Sequence, residues 1–182
     1  MNIFYVDQDP NVAAQMLVNR HVIKMIVESA QLMSTAHRLL DGQMYIDLTK
    51  NGRKIKRWRL PDDREAILNP ASHVNHPSAV WCRDTNNNYN WLFLHFQGLL
   101  SEYTYRYGKR HAYDNPTLYQ ALRDPPKNIR IGHFYPPTPA MAEEYLVNKD
   151  SLLSYRNYYK NGKAHLHAWK KREAPEWIKD VA

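Results

Sequence analysis

Between Leu17 and Leu40 the chain reads LVNRHVIKMIVESAQLMSTAHRLL, an apolar helical run carrying a polar seam. His21, Lys24, Glu28, Gln31 and Thr35 recur at steps of three and four, which places them on one face of a helix. Val22, Ile23, Met25, Ile26, Val27, Ala30, Leu32 and Met33 fill most of the remaining circumference. A helix this apolar is read as a core helix. Burying Lys24 and Glu28 there costs several kcal/mol each unless they pair or line a cleft. Two readings are open: an i,i+4 ion pair contributing about 0.3–0.5 kcal/mol beside a satisfied histidine, or an active site. On the second reading Glu28, His21 and Lys24 are the catalytic candidates, and Gln31 faces substrate beside them.

The 182 residues suffice for one well-buried domain. The lone Cys82 excludes an internal disulfide and fits a reducing cytoplasm. No apolar run approaches the roughly 20 residues that span a bilayer, so no membrane partner is expected. The opening MNIFYVDQDP lacks the basic region and apolar core of a secretory signal. With 25 Lys and Arg against 18 Asp and Glu, the net charge is +7, a field that attracts polyanions, nucleic acid first. Thirteen Tyr and five Trp against four Phe suit base stacking as well as hydrogen-bonded cores.

Residues 2–6 read as a short strand. Asp9-Pro10 then marks an N-cap and first-turn proline, opening a helix that runs to Leu40, bends near Asn19 and stops at Asp41-Gly42. The period changes at 43–60, where Met44, Ile46 and Leu48 alternate ahead of Asn51-Gly52, the strongest short hairpin signal. This hairpin carries Lys50, Arg53, Lys54, Lys56, Arg57 and Arg59 around Trp58. So dense a cluster either lies on a phosphate backbone or forms a solvated edge whose lysines block aggregation. A second long helix spans Tyr89 to Tyr107 and closes at Gly108. A short helix follows Asn115-Pro116, and another runs from Asp150 to Gly162. The expected fold is mainly α: a compact single-domain helical bundle over residues 1–182, with two long helices and one inserted basic β-hairpin.

Lys109 and Arg110 follow the second long helix, and Arg156 and Lys163 interleave with Tyr155, Tyr158 and Tyr159. Together with the hairpin cations Arg53, Lys54, Lys56, Arg57 and Arg59 they form the expected surface for double-stranded DNA. His73, Asn75 and His76 in HVNHP precede a helix start, where outward N–H groups hold an anion or are simply capped. Arg106 either pairs with Glu102 at i,i+4, braces Glu28 or contacts a phosphate. Neither His73/His76 nor His165/His167 has zinc-site spacing, and Walker, GxGxxG and GxSxG motifs are lacking. No metal and no cofactor are therefore expected.

The order DP…HVIKMIVESAQLMSTAHR…HVNHPSAVW…NYNWL…EYTYRYGK…YRNYY…APEW resembles small proteins encoded by tailed phages. More distantly it resembles the phage pyrimidine-dimer DNA glycosylase family, endonuclease V. That family carries a His on its first helix and a catalytic Glu seven residues later, as His21 and Glu28 are spaced. Its Pro-x-Trp-x-Lys ending is similar to Pro175, Trp177 and Lys179. The resemblance implies base excision at a modified or damaged pyrimidine flipped out of duplex DNA, in the host cytoplasm. It also implies attack on the sugar by a free N-terminal amine. Asn2 is too large for the usual Met removal, so the amine here is Met1's own, unless Lys24 serves. The positions of the family's arginines fall near Val27 and Gln31, which are not basic, and the hairpin at 43–60 has no counterpart there. Two alternatives remain open: a transferase placing an amine or amino acid on modified thymine in phage DNA, and a non-catalytic DNA-binding or host-takeover module. The oligomeric state is left open.

Overall fold

In the computed structural model, which describes residues 1–179, the Asp9 carboxylate accepts from the N–H groups of Asn11 and Val12, and Pro10 fills the first helical position. These start α1 (Pro10–Met16). The chain then breaks before α2 (Asn19–Asp41), with Leu17 and Val18 extended. The hairpin strands β1 (Gln43–Leu48) and β2 (Lys54–Arg59) follow, then the short α3 (Arg64–Ile67), α4 (Pro77–Asp84), α5 (Asn86–Tyr107), α6 (Pro116–Arg123), α7 (Ser151–Asn157) and α8 (Glu176–Lys179). Residues 158–162 extend α7 as a wider π turn. The fold is mainly α with one two-stranded antiparallel hairpin. Among the described residues, no helix is long and apolar enough to cross a membrane.

The break at Leu17 replaces the bend expected near Asn19, and distant residues stabilise it. Arg106, with no solvent exposure, donates to the carbonyls of Leu17 (2.8 Å) and Gln15 (2.8 Å), to Asn19 Oδ1 (3.1 Å) and to Glu102 (2.6 Å). Val18 N–H donates to the Tyr159 hydroxyl at 2.7 Å, and Asn19 N–H to the Ala168 carbonyl. The carbonyls of Gln15 and Leu17 and the N–H groups of Val18 and Asn19, freed by the break, thus have partners. Arg106 is therefore corrected from a substrate contact to a buried brace, as its pairing with Glu102 allowed. Arg106→Ala strips several carbonyls of their donor, and an expected loss of about 3–5 kcal/mol in chemical denaturation follows. A loss below about 1 kcal/mol would contradict the brace.

The core lies where α2, α4 and α5 pack, with α1 against α5. The α1 contact needs Gly98: a Cβ there would stand 3.0 Å from Asn11 Oδ1 and 3.1 Å from the Ala14 methyl. At the end of α2, Gly42 is extended (φ −93°), so no left-handed cap forms. Glycine is required there by space, since a Cβ would lie 2.4 Å from the Arg38 carbonyl oxygen and 3.1 Å from that of Arg59. Below it, Arg38 donates to the carbonyls of Trp58, Glu65, Leu68 and Asn69 and to the Glu65 carboxylate, fixing the hairpin root to α2.

The hairpin is inverted relative to ordinary amphipathic sheets, whose apolar face meets the core. Opposed residues share a face, and the register pairs Met44 with Trp58, Ile46 with Lys56 and Leu48 with Lys54. Met44, Ile46 and Leu48 are about half exposed (48, 54 and 60%), while the opposite face carries the half-buried Tyr45, Asp47, Ile55 and Arg57. Residues 2–6 form no strand. Phe4 takes a left-handed conformation (φ 56°), and Val6 N–H turns back to the Phe4 carbonyl.

Candidate active site beside Glu28

The seam of α2 divides by depth. Glu28 is 8% exposed, whereas the Lys24 side chain is 68% exposed and only reaches in, its Nζ 3.1 Å from Glu28 Oε1. The burial expected of Lys24 is therefore corrected: it stands at the rim. Glu28 Oε2 accepts from the Asn2 N–H at 2.9 Å, and the Met1 α-amino nitrogen lies 4.0 Å from the same oxygen. The Met1 side chain is 3% exposed while the residue as a whole is only half-buried, so solvent reaches its main-chain end. Asn2 holds this arrangement. Its Oδ1 accepts from the N–H groups of Ile3 and Phe4, and its Nδ2 donates to the Ala140 carbonyl. A carboxylate, an α-amine and a rim ammonium thus share one niche.

His21 lies two turns back, roughly 10 Å along the axis at about 1.5 Å per residue. Phe4 stacks on its ring at 4.2 Å and 16°, an arrangement its left-handed backbone makes possible. The Tyr159 hydroxyl, which accepts from Val18 N–H, also shares a 2.9 Å hydrogen bond with His21 Nδ1. Burial, with the cations of Lys163, Lys24 and His165, lowers its pKa to about 4. At neutral pH His21 is uncharged, packed between Phe4 and Tyr159.

The HVNHP loop closes the other side. His73 is exposed with φ 50°, a strained non-glycine conformation. His76 caps α4 through Nδ1, which accepts from Ser78 N–H. Burial, the N-terminal amine and His73 lower the His76 pKa, and Glu28 opposes them, which places His76 in the field of the niche. Thr35 ties this loop to α2 by exchanging hydrogen bonds with the main chain of Ser72. The side chains of Gln31, half-buried one turn beyond Glu28, and of the exposed Asn75 make no hydrogen bond to another described residue.

The basic residues sort into engaged and open ones. Arg156 is engaged: it donates to the Val6 carbonyl and Asp7 and lies over Trp177, so it clamps the N-terminal segment and is corrected from a DNA contact. Arg57 pairs with Asp47, and Arg110 with Asp114. Lys163 lies 4.8 Å over the Tyr158 ring beside His21. Arg59 lies over Tyr45. Arg53, Lys54, Lys56 and Lys109 are exposed and form no ion pair with a described residue. Asn2, Phe4 and Tyr159 were not marked by the sequence as site residues. Their contacts to α2 cross 26 or more positions or depend on one backbone conformation, which no local pattern records.

Compared with family models, curated proteins and solved structures, the chain finds no match. Its site is therefore read from its own geometry.

Proposed function

We propose that this protein excises a modified or damaged pyrimidine from duplex DNA, with the Met1 α-amine as nucleophile and Glu28 as its partner. The observation that carries this reading is the α-amine 4.0 Å from a carboxylate that is itself 8% exposed and hydrogen-bonded to the next residue's N–H. The Met1 nitrogen attacks C1′ of the flipped nucleotide, and the bond from C1′ to the base breaks. The base leaves with the electron pair and takes up a proton. Nitrogen gives up one proton to Glu28; the bond from C1′ to the ring oxygen O4′ then breaks, O4′ keeping the electron pair and taking that proton from Glu28, while the nitrogen lone pair closes the iminium with C1′. The Glu28 carboxylate also faces the positive charge that develops on the sugar. Lys24, Lys163 and His165 on one side, and His73 and His76 on the other, are cationic or hydrogen-bonding groups suited to the flanking phosphates. The resemblance to the endonuclease V family agrees with this chemistry, and the exposed Lys24 is the less suited of the two amines.

Incubation with a duplex containing an abasic site, followed by borohydride, is expected to leave a covalent protein–DNA adduct. Absence of an adduct on abasic and on ultraviolet-irradiated duplex alike would contradict the proposal. Adding residues ahead of Met1 converts the amine to an amide, and a fall in adduct yield of about a hundredfold or more is expected. An unchanged yield would remove Met1 from the chemistry.

A further inference from the structure

The inverted hairpin is not explained by the niche. A one-residue slip of register would turn Met44, Ile46 and Leu48 toward the protein, yet the chain keeps them outward in one row. Exposed contiguous apolar side chains on a soluble domain mark a surface that another body covers. The edge-protection reading explains lysines on this ribbon but not three aliphatic side chains between them. Lys54 and Lys56 share the apolar face, Lys50 and Arg53 sit at its tip, and none of these four pairs with a described carboxylate. Asp47, the hairpin's single acid, lies on the other face and is taken by Arg57. The face thus carries an aliphatic row on β1 beside a row of Trp58, Lys56 and Lys54 on β2, with further cations at the tip. That chemistry matches a duplex groove, whose walls are phosphates and whose floor is stacked bases.

We propose that this face is a groove wedge: the ribbon enters the DNA groove, its cations meet the phosphates, and Met44, Ile46 and Leu48 press against and part a base step. The groove entered is the minor one, which β-ribbons can occupy and from which aliphatic wedges part base steps. α2 ends at Asp41, 13 residues beyond Glu28, and the hairpin begins two residues later, so the wedge acts roughly 20 Å from the niche at about 1.5 Å per residue. The loop of residues 69–76 joins the two places: Asn69 binds Arg38 at the hairpin root, Ser72 binds Thr35, and His76 reaches the niche. The parted step therefore lies about six base pairs from the excised base at roughly 3.4 Å per pair. This inference rests on the duplex-DNA part of the proposed function and not on its chemistry.

The test uses the full chain and a duplex with an unreactive abasic analogue, with 2-aminopurine placed at successive steps to report unstacking. The wild-type protein is expected to raise the fluorescence severalfold at a step about six pairs from the analogue. Substituting Met44, Ile46 and Leu48 by Thr, all at exposed strand positions, is expected to abolish that rise and weaken duplex binding about tenfold or more. Borohydride trapping on a single-stranded abasic oligonucleotide should stay unchanged. Lys54→Glu with Lys56→Glu is expected to give the same loss through the cations. The wedge is overturned if either variant keeps wild-type unstacking and affinity. It is also overturned if the Thr variant loses binding to phosphatidylserine vesicles, or a dimer seen for the wild type, with DNA binding intact. Unstacking without any adduct would end the excision chemistry and leave the wedge. An adduct without unstacking would do the reverse.

Discussion

Glu28→Gln is expected to lower the rate of adduct formation by about 10²- to 10⁴-fold while changing duplex affinity less than about threefold. The substitution is nearly isosteric, and the amide oxygen still accepts from the Asn2 N–H. What it removes is the negative charge 4.0 Å from the α-amine and 3.1 Å from Lys24 Nζ. On the proposed reading, ground-state binding of DNA relies on cations elsewhere, so affinity holds. The charge is needed when nitrogen sheds its proton and the sugar gains positive character, so the rate falls. Loss of a rim ion pair alone has a small cost to stability, because Lys24 is exposed. Rates under single-turnover conditions, with affinities measured in parallel, separate the two effects. An unchanged rate with a lowered melting temperature would reduce Glu28 to a structural ion-pair partner.

Acid sensitivity is the second large effect. His21, His37 and His95 are each pulled from an ordinary 6.5 to about 4, chiefly by burial. Neighbouring cations add to burial at two of them. His37 Nδ1 accepts from Arg64 at 2.8 Å, its Nε2 donates to the Tyr89 hydroxyl, and that hydroxyl donates to the Leu122 carbonyl. Protonating His37 would set a second cation against Arg64. His21 meets a like obstacle in the nearby ammonium groups of Lys163 and Lys24. His95 is fully buried, with Nδ1 on the Pro10 carbonyl and, among the described residues, no hydrogen-bond partner at Nε2. Between pH 6.5 and 4 the unfolded chain binds these protons and the folded chain does not. Stability is therefore complete above about 6.5 and falls as the pH drops toward 4, by roughly 3 kcal/mol per histidine at most. Three such losses rival the whole stability of a domain, typically about 5–15 kcal/mol. Melting temperatures are expected to drop steeply from pH 7 to 4.5, and His95→Gln to soften the slope. The Asp41 and Asp62 carboxyls are lowered by their neighbours, with Asp62 at about 2. They hold their stabilisation until still lower pH, so they do not produce this transition. A flat melting temperature from pH 7 to 4.5 would contradict the assignment.

Local chemistry made much of the architecture readable. Asp9-Pro10, His76-Pro77, Asn115-Pro116 and Asp150 start helices because each supplies a cap within three residues. Asn51-Gly52 turns the hairpin, with Gly52 at φ 73°. The seam of α2 pointed correctly to a buried Glu28 because helical periodicity is a local property. That same periodicity could not separate depth within the seam, and Lys24 fell at its exposed edge. Nor does periodicity record partners far along the chain. The brace from Arg106 to Leu17 spans 89 positions and the bond from His21 to Tyr159 spans 138, and these two decide where the first helix breaks and which way His21 faces. The hairpin's alternation was equally plain, but alternation says only that one face is apolar. Which face meets solvent was fixed by Arg38 at its root and by the Asp47–Arg57 pair beneath it.

The central claim is that the reactive amine is Met1's. Borohydride-trapped protein, digested and mapped by peptide mass spectrometry, tests it directly. The account predicts the deoxyribose remnant on the α-nitrogen of the Met1 peptide and on no lysine. A remnant on Lys24 or Lys163 would contradict it.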